Sequence, residues 1–159
     1  MIRVEPQACK AGQSSGFMSE TPIPDRTPLV LVIEDGYKVS SALQVLCDFL
    51  EIAVERVSSY ENLAPLLDDH RPIAVVARLE GKGQDGCHVM MMVAKYDRAI
   101  PVLLLTGDDT ALDGAAEAVQ QICGLETLVT CRGMPSVTMA VDFLFQAGRV
   151  ARCASFMPV

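Results

Sequence analysis

From Pro28 onward the chain alternates between continuous apolar runs and segments whose apolar residues recur at helical spacing. The run LVLVI, residues 29–33, is apolar at every position and stops at Glu34, Asp35 and Gly36, the pattern of a strand buried on both faces. YKVSSALQVLCDFLE follows, with Val39, Leu43, Leu46 and Leu50 at helical spacing. IAVERV (52–57) predicts a short strand. SSYENLAPLLDDH predicts a helix opened by a capping serine, in which Pro65 is tolerated only in the first turn or at a bend. IAVVA (73–77) predicts a third strand, and CHVMMMVAKYD a helix beyond a Gly-rich loop. PVLLLT (101–106), TALDGAAEAVQQIC, LETLVT (125–130) and SVTMAVDFLFQAGRVAR complete the chain as strand, helix, strand, helix. This alternation predicts a doubly wound α/β fold: a five-stranded parallel sheet with right-handed crossovers and helices on both faces.

Residues 1–27 break this pattern, being rich in Gln, Ser, Gly and Pro without periodic apolar positions. They read as a flexible N-terminal arm in which Met18 is an alternative start. Residues 28–151 then form one domain and 152–159 a short tail; 159 residues suffice to bury a core. The net charge of −7 argues against nucleic-acid binding, which needs clustered Lys and Arg, and against an anionic membrane surface. No apolar run approaches the length of a bilayer span, and Arg3 is not followed by the apolar stretch of a signal peptide. Six cysteines without a CxxC pair read as reduced thiols, so a cytoplasmic location is expected.

Function in an open parallel sheet gathers beyond the carboxyl ends of its strands. Those ends offer Glu34 and Asp35 after the first strand, Arg78 after the third, Thr106 after the fourth and Cys131 after the fifth. A flavin-phosphate site fits poorly, because the loop EDGYKVSS would set two carboxylates against the phosphate. GKGQDG lacks Walker spacing and reads as a flexible turn. His70, in the turn DDHRP, and His88, in the first turn of a helix, join no nucleophile–base pattern. Cys123 and Cys131 match no zinc or redox spacing, and Met90–Met92 face several sides of a helix, as core fillers do.

The chain from Leu29 to about Arg149 resembles the receiver domain of response regulators. An acidic pair ends the first strand (IED), Asp85–Gly86 opens the third helix, and IPVLLLTG places Thr106 where the family keeps its switch threonine. The resemblance implies a flavodoxin-like receiver fold and a role in two-component signalling. It also implies a degenerate site. The family's phosphoacceptor aspartate falls on Arg78, and its conserved-type lysine after the fifth strand falls on Cys131.

An arginine has no nucleophilic lone pair, stays charged and cannot ligate Mg²⁺, so phosphotransfer at Arg78 is excluded. Glu80 and Asp85 lie two and seven residues beyond it, too far along the chain to replace it. The expectation is that Arg78 fills the acidic pocket and pairs with Glu34 or Asp35; removing it would then cost about 3–5 kcal/mol. Glu34 and Asp35 are weak Mg²⁺ candidates only if Arg78 swings away, and no cofactor is expected.

The last helix is apolar on almost every side, which suggests an interface at Val137, Val141, Phe143, Leu144 and Phe145. No output domain is expected beyond that helix, so any effect is expected to pass through a protein partner (a sensor kinase, a regulator or an enzyme) or a homodimer. The expected function is a non-enzymatic, phosphorylation-independent pseudo-receiver. The alternatives are a receiver phosphorylated on an unusual carboxylate such as Asp85, and a small-ligand sensor using the same cleft.

Overall fold

The computed structural model describes residues 27–152 apart from 82, 83, 108 and 109; the rest of the predicted arm and tail lies outside the described residues. The elements run β1 (Leu29–Ile33), α1 (Lys38–Phe49), β2 (Ala53–Val57), α2 (Leu63–His70), β3 (Ala74–Arg78), β4 (Glu80–Gly81), β5 (Gln84–Asp85), α3 (Gly86–Tyr96), β6 (Val102–Thr106), α4 (Thr110–Cys123), β7 (Leu128–Arg132) and α5 (Val137–Val150). Five strands form one parallel sheet in the order β2-β1-β3-β6-β7, the flavodoxin-like arrangement. Strands β4 and β5 form a two-stranded antiparallel hairpin, which the apolar pattern did not reveal because neither carries an apolar face.

Pleating divides the core between the two faces of the sheet. Val30 and Val32 face the layer of α1 and α5, with Val39, Leu43, Cys47, Phe143 and Leu144. Leu31 and Ile33 face the layer of α2, α3 and α4, with Leu63, Leu67, Val89, Met90 and Ala116. The three inner strands are apolar except where Arg78 ends β3 and Thr106 ends β6, whereas edge strands β2 and β7 are only partly buried and carry charged residues within them or at their ends, as edge strands do.

Pro65 is the third residue of α2, inside the first turn, where its missing N–H has no partner in the helix to lose. The expected serine cap of α2 is not formed: Ser59 Oγ accepts from Glu61 N–H at 3.3 Å, and the helix starts later, at Leu63. The fifth sheet strand is Leu128–Arg132 rather than 125–130. Gly124 turns the chain at a φ of 78°, and Glu126 N–H bonds back to Arg98 O at 3.0 Å, so residues 125–127 form the connection.

Helix α5 corrects the expected interface. Ala140, Phe143, Leu144 and Ala147, spaced by three and four, form its buried stripe against the sheet. Phe143 and Leu144 are 3% and 1% exposed, so they are core residues and unavailable to a partner. Val141 and Phe145 are half-buried, and Val137 is exposed. Met90 is likewise core, while Met91 is exposed.

Candidate functional site

At the end of β1, Glu34 N–H bonds to Val57 O at 3.0 Å, which fixes the turn into α1. The Glu34 side chain is buried and points at the start of that helix. Its Oε1 accepts from Val39 N–H at 3.0 Å and its Oε2 from Ser40 N–H at 2.7 Å. Tyr37, at the N-cap, supplies no capping side chain, so Glu34 satisfies two orphan helix donors from three residues upstream. A carboxylate also suits the positive end of the helix dipole. Asp35 is exposed.

The guanidinium that serves this acidic turn belongs to Arg56, on edge strand β2. Arg56 Nη1 donates to Glu34 O at 3.0 Å, Nη2 donates to Tyr37 Oη at 3.2 Å, and the guanidinium carbon lies 4.0 Å from the centroid of the Tyr37 ring. Sequence reasoning passed over this residue. Its only signal was a lone cation in IAVERV, one strand away from the acidic pair.

Arg78 ends β3, where it pairs in register with Leu105, and its side chain is exposed. The expected ion pair with Glu34 or Asp35 is not formed: among the described residues the Arg78 side chain makes no hydrogen bond or ion pair. The reason is local. Both Glu34 oxygens are already engaged by α1, and Arg56 holds the backbone of the turn. Arg78 instead lines a cavity of about 160 Å³ together with Lys38, Leu105, Thr106, Gly107 and Gly133, and among the described residues no acidic side chain is in its lining.

Thr106, at the end of β6, is 3% exposed and its hydroxyl donates to Cys131 O at 3.5 Å. Cys131 lies within β7, level with Leu105, instead of following the strand; Arg132 is the residue level with Thr106. Cys131 Sγ donates to Arg132 O at 3.8 Å, and burial pushes its thiol above the ordinary value. Glu34, Arg78 and Thr106 therefore stand at the strand ends as expected, but only Arg78 and Thr106 share the cavity.

Asp85 is the N-cap of α3, its Oδ1 accepting from His88 N–H at 3.0 Å. Gly86 follows because the chain passes too close to β3 for any side chain. A Cβ there would lie 2.7 Å from Leu79 Cα and 2.9 Å from Arg78 O, while Gly86 N–H bonds to Leu79 O at 2.9 Å. His88 rests against the Tyr60 ring with centroids 4.9 Å apart, and His70 sits in the last turn of α2. Among the described residues no three His, Cys, Asp or Glu side chains are grouped to hold a metal. Glu34 and Asp35 fit Mg²⁺ poorly, since one is committed to backbone amides and a cation, Arg78, stands at the next strand end.

Solved structures share this architecture. The response regulator receiver domain protein of Clostridium thermocellum is 18% identical, with a TM-score of 0.59 over 79% of this chain and 94% of that one. The receiver domain protein of Methanospirillum hungatei is 10% identical, with a TM-score of 0.60 over 79% of this chain and 94% of that one. The N-terminal receiver domain of a Bacteroides fragilis two-component response regulator is 19% identical, with a TM-score of 0.56 over 78% of this chain and 96% of that one. The chain thus has the receiver fold of response regulators, a five-stranded parallel sheet between two helical layers. No protein-family model matches the sequence, and no curated protein matches it. No helix among the described residues is long and apolar enough to cross a membrane.

Proposed function

We propose that this protein is a phosphorylation-independent pseudo-receiver, a non-enzymatic protein-interaction module of two-component-type signalling acting in the cytoplasm. Arg78 carries this reading. It ends the third sheet strand and lines the cavity at the carboxyl edge of the sheet, where the family it resembles keeps a phosphoacceptor aspartate. A guanidinium cannot form an acyl phosphate. With Lys38 in the same wall, the described lining residues carry two positive charges, which oppose Mg²⁺ entry. Asp85, the alternative acceptor, holds the start of α3 through His88 N–H.

The partner is a sensor kinase, another regulator, an enzyme or a second copy of this chain. Its docking surface is assigned to exposed apolar residues of the α1/α5 layer, Val45 and Phe49 of α1 and Val137 and Val150 of α5, in place of the buried Phe143 and Leu144. Large apolar side chains left exposed on one helical layer favour protein contact. Incubation with acetyl phosphate or beryllofluoride and Mg²⁺, followed by intact mass and metal-dependent fluorescence, tests the reading. No mass change and no spectral change are expected; an acyl phosphate on any carboxylate, Asp85 included, overturns it.

A further inference from the structure

Among the described residues two cations line the cavity, Lys38 from the first turn of α1 and Arg78 from the end of β3. Neither side chain makes a hydrogen bond or an ion pair among the described residues. The whole chain carries −7, so this pair does not belong to a generally basic surface. Two like charges facing one small cavity repel each other unless an anion joins them.

Thr106 gives a second, independent sign. Its side chain is 3% exposed and lines the cavity, yet its hydroxyl reaches its acceptor, Cys131 O, only at 3.5 Å. Hydroxyl hydrogen bonds centre near about 2.7–2.8 Å, and buried hydroxyls are rarely left with so weak a partner. A ligand oxygen in the cavity supplies a better one. Beside it, Gly107 and Gly133, the latter donating its N–H to Thr106 O at 3.2 Å, leave the wall bare, a Cβ at either meeting nothing within 4 Å.

We infer that this cavity binds a small oxyanion of the phosphate class, reversibly and without covalent chemistry. The Lys38 ammonium, the Arg78 guanidinium and the Thr106 hydroxyl are its donors. Size sets the class. The cavity holds about 160 Å³, against about 150 Å³ for a cavity that admits benzene and about 300 Å³ upward for drug-sized ligands. Free phosphate or the phosphoryl end of a short metabolite fits, and the cavity is too small to enclose a whole nucleotide. The guanidinium presents paired N–H donors to such an anion, and the ammonium adds a compact charge. The inference rests on the pseudo-receiver reading, because the site exists only where Arg78 stands in place of a carboxylate.

The full chain is titrated with sodium phosphate at constant ionic strength, with chloride making up the balance, while amide NMR shifts and Tm are followed. The expected result is a saturable shift confined to Lys38, Val39, Gly107 and Gly133, with a rising Tm. Arg78→Gln and Lys38→Gln each weaken binding by about tenfold or more, as loss of a charged hydrogen bond does. Thr106→Val, which keeps the shape, weakens it by a smaller factor. A parallel titration with glycerol phosphate separates the sources: tighter binding than phosphate identifies a phosphorylated metabolite, equal binding the free anion. Unsaturable or scattered shifts, or unchanged binding in the Arg78→Gln/Lys38→Gln double variant, overturn the site. Intact mass after acetyl phosphate treatment keeps the two readings apart. A covalent adduct overturns the pseudo-receiver reading, whereas an unmodified mass without saturable phosphate binding overturns the anion site alone.

Discussion

Arg56 covers the ring of Tyr37 at 4.0 Å while donating to the backbone carbonyl of Glu34 at 3.0 Å. One guanidinium on an edge strand thereby fastens both ends of the turn between β1 and α1. Stacking and paired donation both need the planar fork, which an ammonium lacks. Arg56→Ala is expected to lower stability by about 1–2 kcal/mol, the sum of a charge-assisted hydrogen bond and a partly exposed cation–π contact. Arg56→Lys should recover less than half of that loss. Urea denaturation of the three proteins measures both; full recovery by lysine would show that charge alone holds the turn.

Glu34 and Arg78 exchange the importance that the sequence suggests for them. The buried Glu34 carboxylate bonds two helix amides, so Glu34→Ala leaves Val39 N–H and Ser40 N–H without that partner. A loss of about 2 kcal/mol is expected, in the upper range for a helix cap. Arg78 is exposed and unpaired among the described residues, so Arg78→Ala should change stability by no more than about 0.5 kcal/mol. Thermal melts of the two variants decide the matter. A large drop for Arg78→Ala beside a small one for Glu34→Ala would restore the ion pair that the sequence suggested.

The reversal shows where sequence reasoning stops. Continuous apolar runs in β1, β3 and β6 announce buried parallel strands, because only a sheet covered on both faces needs them. Strand ends then place Glu34, Arg78 and Thr106 at one edge of the molecule. Which donor a carboxylate faces is a matter of side-chain direction, and neighbouring helix amides competed with Arg78 for Glu34 and won. Cys131 was displaced by a shift in a strand boundary, an edge strand having too weak an apolar pattern to fix its own ends. The buried stripe of α5 was legible at positions 140, 143, 144 and 147. It was obscured by apolar residues on the remaining sides, Val137 among them.

Gly86 is where the β3–α3 connection closes on the sheet. A methyl group there would meet backbone at 2.7 and 2.9 Å and the Leu104 side chain at 3.0 Å. Backbone cannot give way as a flexible side chain does, so either the Gly86 N–H bond to Leu79 O breaks or α3 moves outward. Gly86→Ala is expected to cost about 2–3 kcal/mol, as overpacking does, despite the better helix propensity of alanine. Chemical denaturation should show the midpoint falling; an unchanged or raised midpoint would mean that the connection has room.

Cys47 gives the protein an alkaline limit. Its side chain, on the buried face of α1, is 0% exposed. Burial, helped by the neighbouring Asp48 carboxylate, pushes its thiol from 9.0 up to about 11. The unfolded chain therefore loses this proton first as pH rises. The stability linked to the neutral thiol is whole below about pH 9 and is lost as pH climbs to about 11. It falls by up to about 1.4 kcal/mol per pH unit, at most about 3 kcal/mol in all. Cys47→Ala should be less stable at neutral pH, through lost packing, yet should lack this part of the alkaline decline. Urea midpoints across that range are expected to converge for the two proteins; parallel curves would show that the buried thiol titrates as it does in the open chain.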